Sequence, residues 1–182
     1  MLDPFATLGL PRRFALDPKQ LEGRHRELSK ALHPDRYAAA GSGERRLALS
    51  KAIEVNEAHR ILRDPVRRAE AVLKLSGLEA EVGETREPKP DGAFLMEVLE
   101  AREALDEAKA SRSPARISSV VSDARAQHAA ALGTLGAAID GALGHAVDLE
   151  SLRKAIPLLG RLRYATRLLD EAVAAEDELA GL

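Results

Sequence analysis

Apolar residues recur at three- and four-residue spacing through most of the chain, and proline and glycine cut the pattern into segments. Asp3-Pro4 is a cap and first-turn signal for a short helix carrying Phe5 and Leu8, ended by Gly9 and Pro11. Asp17-Pro18 repeats the signal for a helix running to about Leu32. At about 100° per residue, Leu21, His25, Leu28 and Leu32 share one face of it. Lys19, Arg26 and Lys30 fall nearly opposite, with Arg24 on a flank. Pro34 then pushes His33 out of helical geometry and cannot itself extend the helix, so His33-Pro34-Asp35 forms a turn. After Arg36-Tyr37 and a loop ending in Gly41-Ser42-Gly43, a second helix is predicted from Glu44 to Leu62. Its stripe is Ala48, Ala52, Val55, His59 and Leu62, widened by Leu49 and Ile53. Two such helices with facing stripes predict an antiparallel hairpin. Asp64-Pro65 stops the second and starts a third, in which Val66, Ala69, Val72 and Leu73 are apolar and which Gly77 closes.

Residues 79–92, with two prolines, two glycines and many charges, read as a linker between a domain at 1–78 and one at 93–182. The second domain shows three helical patterns, Ala93–Lys109, Pro114–Leu143 and Leu149–Leu179, whose short connections predict an antiparallel bundle. Ser113-Pro114 is a cap followed by proline, and Ile117, Val121, Ala124, His128, Leu132, Leu135 and Ile139 form one stripe behind it. Gly133, Gly136, Gly141 and Gly144 weaken the end of that helix. The last helix, capped by Asp148, has Leu152, Ile156, Leu159, Leu162, Leu169 and Val173 at its core positions. Pro157 inside it predicts a kink or a late start.

The first bundle helix has two apolar faces. Phe94, Val98, Ala101, Leu105 and Ala108 make its core stripe. Met96, Glu100, Glu103 and Glu107 lie roughly opposite, flanked by Leu95 and Leu99. Tyr164 points away from the core stripe of the last helix and should also face out. Exposed apolar side chains beside an acidic row suggest a protein-docking surface.

Composition narrows the classes. The 182 residues are 45% apolar, 31% charged and only 3% aromatic, which favours helices over sheets. A net charge of -2 and a pI near 6.2 argue against nucleic-acid binding. No apolar run approaches a membrane span, the first residues do not read as a signal peptide, and a cytoplasmic protein is expected. The absence of cysteine excludes disulfides, thiol catalysis and thiolate-held metals. His25, His33, His59, His128 and His145 show no ligand spacing and no nearby acidic cluster, so neither a metal nor a cofactor is expected. His33 with Asp35 lacks the further groups of a catalytic site, so the chain is not read as an enzyme.

The order of a basic-faced helix, His33-Pro34-Asp35, a basic residue, and a second helix ending Val55-Asn56-Glu57-Ala58-His59-Arg60-Ile61-Leu62 before Asp64-Pro65 resembles a J-domain. With Arg67-Arg68-Ala69-Glu70, Phe94-Leu95-Met96-Glu97, Arg102-Glu103 and Leu105-Asp106-Glu107, nearly the whole chain resembles HscB, the J-type co-chaperone of iron–sulfur cluster assembly. The resemblance implies an all-α, L-shaped, two-domain protein: a J-domain hairpin joined to a three-helix bundle. It implies that His33, Pro34, Asp35, Arg24, Arg26, Lys30 and Arg36 meet a DnaK- or HscA-type ATPase chaperone. It assigns Leu95, Met96, Leu99, Glu100, Glu103, Glu107 and Tyr164 to binding an IscU-like cluster scaffold. A J-domain co-chaperone whose bundle takes a different client is the alternative. Two positions depart from the family, because His25 and His59 stand where an aromatic is common, and a softer hairpin contact is expected there. Arg36 stands where lysine is frequent, which keeps the charge. The lack of a paired-cysteine zinc module points to the bacterial form.

Overall fold

The computed structural model describes residues 2–82, 92–144 and 146–181, and all regular structure among them is helical. The chain divides into two compact units, Met1–Ala80 with Leu143–Val147, and Glu81–Ala142 with Asp148–Leu182.

The first unit contains α1 (Pro4–Leu8), α2 (Pro18–Ala31), a 3-10 turn (Pro34–Tyr37), α3 (Ser42–Arg63) and α4 (Pro65–Leu73). Each cap expected from an acidic residue before proline forms. The Asp3 carboxylate accepts from the Phe5 and Ala6 N–H groups, Asp17 from Lys19, and Asp64 from Val66 and Arg67. Gly9 closes α1 in the left-handed region at φ 63°, under the Arg24 guanidinium. A Cβ there would stand 2.8 Å from Arg24 Nη2, so both conformation and space call for glycine. Glu22 meets His59 and His25 meets Asn56, so residue numbers fall along one helix as they rise along the other. That pairing makes α2 and α3 an antiparallel hairpin.

Burial on α3 differs from the expected stripe. Ala48, Val55, Ala58 and Leu62 are buried, whereas Leu49 and Ile53 are exposed. Short α1 packs against α3, as α2 does, and the face buried on α3 runs through Ala58 and leaves Leu49 and Ile53 out. Sequence periodicity locates a stripe but not which flank a third element will cover. At the C-terminal end of α3, Arg68 donates to the Leu62 carbonyl at 3.1 Å and lies 4.8 Å from the centre of the Phe14 ring. Beyond α4 the chain makes a wide turn over Lys74–Leu78 with Gly77 at φ 88°, then a 3-10 turn over Glu79–Glu81. Leu78, the last residue before the expected linker, is buried, as is Val82 within it, and linker positions 83–91 lie outside the described residues.

The second unit is built from α5 (Gly92–Ser111), α6 (Pro114–Ala142) and α7 (Leu149–Ala180). Glu97 pairs with Arg161 and Arg102 with Glu171, so α5 and α7 run in the same direction. Short connections set α6 between them in the opposite sense, and α6 and α7 share the longest seam. Near the α5–α6 end the core is made by Leu105, Ala108, Ile117, Val121, Leu168 and Ala172. Helix α7 starts at Leu149 and continues through Pro157, so the late start does not occur. The buried residues of α7 are Leu152, Ala155, Leu159 and Leu162, then Ala165, Leu168, Ala172 and Ala175. Three successive steps of three, Leu159–Leu162–Ala165–Leu168, shift the buried face by one residue, which leaves Leu169 and Val173 half-buried on its edge. His128 and Leu132 on α6 and Ile156 on α7 are likewise half-buried.

Among the described non-glycine residues Arg112 alone has a positive φ, 46°, in the tight turn between α5 and α6. A side chain in that region carries a steric penalty of roughly 1 kcal/mol relative to glycine. Arg112→Gly is therefore expected to raise unfolding stability by up to about 1 kcal/mol in a denaturant titration, with an unchanged m-value.

Candidate functional site

Two regions gather the residues singled out in the sequence, one in each unit. In the first, Pro34 occupies the first position of the 3-10 turn and His33 caps it. The His33 Nδ1 atom accepts from the Asp35 N–H at 3.3 Å, and the His33 carbonyl accepts from the Arg36 N–H at 3.0 Å. The imidazole thus fixes the turn from within, while the Asp35 side chain is left 90% exposed as a carboxylate that can accept from a partner. Arg26, Lys30 and Arg36 are exposed on and around the end of α2. Arg24 differs from the other cations. Its Nε donates to the Leu8 carbonyl at 3.1 Å, and its Nη1 pairs with Glu27 at 2.6 Å, so its guanidinium serves the α1–α2 junction.

In the second region, Leu95, Met96 and Leu99 are 47%, 57% and 48% exposed on the outer side of α5, with Glu100, Glu103 and Glu107 exposed beside them. Exposed apolar side chains grouped on one helix make a candidate docking face. Tyr164 corrects the expectation that it faces solvent. It is half-buried against α5, its hydroxyl donating to the Val98 carbonyl at 2.9 Å and its ring meeting Phe94 edge-on at 5.7 Å. Its position on α7 lies off the main stripe, and α5 covers that flank. Tyr164 holds α5 from beneath and does not itself extend the outer face.

Sequence reasoning missed the contacts that set this face. Arg102 makes a two-pronged pair with Glu171 at 3.0 and 3.2 Å. Arg161 lies over the Phe94 ring at 4.6 Å and reaches Glu97 at 3.3 Å. Both fix α5 on α7. A cleft of about 660 Å³ opens between the three helices, its lining including Ala131, Leu158 and Ala165 together with Glu97 and Arg161.

The structure also brings two of the histidines together. His25 and His59 stack at 4.0 Å with their planes 11° apart, and Glu22 binds His59 at 2.9 Å. That hydrogen bond holds the Glu22 carboxyl below its ordinary value. Thirty-four residues separate the two histidines in the chain, so spacing alone gave no signal. Their places on the two facing stripes did, had the stripes been read together. His145 lies outside the described residues.

A hairpin carrying a capped His-Pro-Asp turn, together with a three-helix bundle bearing an apolar and acidic outer face, defines a J-type co-chaperone. The HscB C-terminal oligomerisation domain matches residues 90–173. The co-chaperone protein HscB homolog of Cupriavidus taiwanensis is 39% identical over 138 residues, 76% of this chain and 77% of that protein. The chaperone HscB from Vibrio cholerae superposes with a TM-score of 0.77 at 30% identity, over 97% of this chain and 98% of that one. Human co-chaperone protein HscB shares the fold, with a TM-score of 0.79 over 94% of this chain and 80% of that one at 24% identity. The chain belongs to the HscB family of co-chaperones. No helix among the described residues is long and apolar enough to cross a membrane.

The tyrosine anchor is testable. Burial raises the Tyr164 hydroxyl above the ordinary value of 10.0, because the ionised form is disfavoured there. A raised folded value means that this stability is complete below pH 10.0 and is lost as pH rises through the folded value. Tyr164→Phe is expected to lower the thermal midpoint at neutral pH and to flatten the alkaline loss of stability, both read by circular dichroism.

Proposed function

We propose that this protein stimulates the ATPase of a DnaK- or HscA-type chaperone through the His33–Arg36 turn and delivers to it an IscU-like iron–sulfur cluster scaffold held on α5. The observation that carries this reading is the His33-capped turn that presents the Asp35 carboxylate beside Arg26, Lys30 and Arg36. Asp35 accepts a charge-assisted bond from a partner cation, and the three basic side chains steer an acidic surface of the partner into register. ATP is hydrolysed by the partner. The co-chaperone acts by binding one conformation of that partner more tightly than the other. Arg24, committed to Leu8 and Glu27, supports the helix that carries the other cations.

On α5, Leu95, Met96 and Leu99 form the apolar centre of the scaffold surface, and Glu100, Glu103 and Glu107 its acidic rim. Tyr164 enters as a positioning residue through the Val98 carbonyl. Covering each apolar side chain stabilises by roughly 1.5–3 kcal/mol at most. Immobilising two proteins costs about 4–15 kcal/mol. The three apolar side chains alone leave a surplus of at most about 5 kcal/mol, a Kd no tighter than roughly 0.2 mM, so the acidic rim supplies the rest of a short-lived, roughly micromolar complex suited to handing over a client.

The deciding experiment measures ATP hydrolysis by the chaperone with and without scaffold, comparing wild type with His33→Gln. Stimulation is expected to fall by roughly tenfold or more, and undiminished stimulation discards the chaperone half of the reading. For the client half, Leu95→Ala, Met96→Ala and Leu99→Ala are each expected to weaken scaffold binding by roughly five- to thirtyfold in a calorimetric titration. Unchanged affinity in all three moves the client elsewhere and favours a different cargo for the bundle.

A further inference from the structure

The α2–α3 hairpin holds a polar cluster that neither interaction surface uses. Glu22 and His25 stand three residues apart on α2, and Asn56 and His59 three apart on α3. Each imidazole is held by the other helix, His25 by Asn56 Oδ1 at 3.0 Å and His59 by Glu22 Oε1 at 2.9 Å. One nitrogen from each ring and one Glu22 oxygen lie within 4.8 Å of one another. The rings are half-buried and the carboxylate is exposed, so a cation can enter from solvent while the helices keep the nitrogens in place.

We propose that Glu22, His25 and His59 bind one divalent transition-metal ion of the zinc class and clasp α2 to α3. Two imidazoles and one carboxylate are a set that zinc accepts, with a fourth position left for water. Imidazole nitrogen also suits nickel and copper, whereas magnesium and calcium call for oxygen ligands throughout. Tetrahedral coordination at about 2.0–2.2 Å sets ligand atoms about 3.3 Å apart, so the three groups must close by at most about 1.5 Å. Closing that gap requires the exposed Glu22 carboxylate to swing in and the two rings to tilt out of their parallel stack about their terminal torsions, so that both nitrogen lone pairs converge on the ion. Because the ligands come from two helices, the ion binds the folded hairpin and not the unfolded chain, and therefore stabilises it.

The test uses the untagged full-length protein and zinc chloride, with magnesium chloride as the contrasting cation. Calorimetry is expected to show one zinc per chain and no heat of magnesium binding. Saturating zinc should raise the thermal midpoint of the wild type by roughly 5 °C. His59→Phe preserves a stacked ring and removes a ligand, and surface-exposed Glu22→Gln removes the carboxylate. Each should weaken zinc binding at least about tenfold and abolish the midpoint shift. Histidine ring spectra by NMR should report perturbation of His25 and His59 with His33 and His128 unmoved. If wild type takes up no zinc, or Glu22→Gln and His59→Phe bind it as wild type does, the cluster is only a stacked and hydrogen-bonded packing pair and the proposal fails.

Discussion

A side chain that accepts a backbone N–H, followed at once by proline, begins five of the helical segments in this protein. Asp3-Pro4, Asp17-Pro18, His33-Pro34, Asp64-Pro65 and Ser113-Pro114 all use it. The device works because proline supplies a helical φ where its missing donor costs nothing, and the preceding residue is held extended with its side chain free to cap. It both ends one helix and starts the next with little chain between. The hairpin and its neighbours depend on that punctuation, since a helix running on through position 34 would leave no turn to present. At that turn the capping acceptor is an imidazole nitrogen, and the residue that receives the cap, Asp35, is the one whose carboxylate is displayed.

The two units solve the problem of fixing helices differently. In the hairpin, small α1 closes one flank of α3, and Arg24 reaches across Gly9 to the Leu8 carbonyl. Stacked imidazoles take the place of an aromatic contact, and two interhelix hydrogen bonds accompany them. In the bundle, alanines at 155, 165, 172 and 175 let α7 approach its neighbours closely. Charged pairs and the Tyr164 hydroxyl then fix α5 on it. These contacts fix the side of α5 that faces α7 and so leave Leu95, Met96 and Leu99 on its outer side.

The two candidate surfaces differ in chemistry. One is basic and offers a single carboxylate at a fixed turn, and the other is apolar with an acidic margin.

Local features were legible in the sequence because they are caused locally. The helix starts followed from acceptor–proline pairs, and the core stripes of α5 and α6 from spacing, with Leu105, Ala108, Ile117 and Val121 buried where the period put them. The exposure of Leu95, Met96 and Leu99 followed from their angle to that stripe. What failed involved a third element. Leu49 and Ile53 were assigned to a core that, with α1 as well as α2 packed on α3, runs through Ala58 and leaves them out, and Tyr164 was assigned to solvent that α5 covers. Arg24 was counted with the free-facing cations although a carbonyl sixteen residues earlier holds it. The histidine pair stayed invisible for the same reason. Periodicity fixes angles around one helix axis, whereas contact across axes depends on how neighbouring helices rotate and translate, and only the tertiary structure decides that.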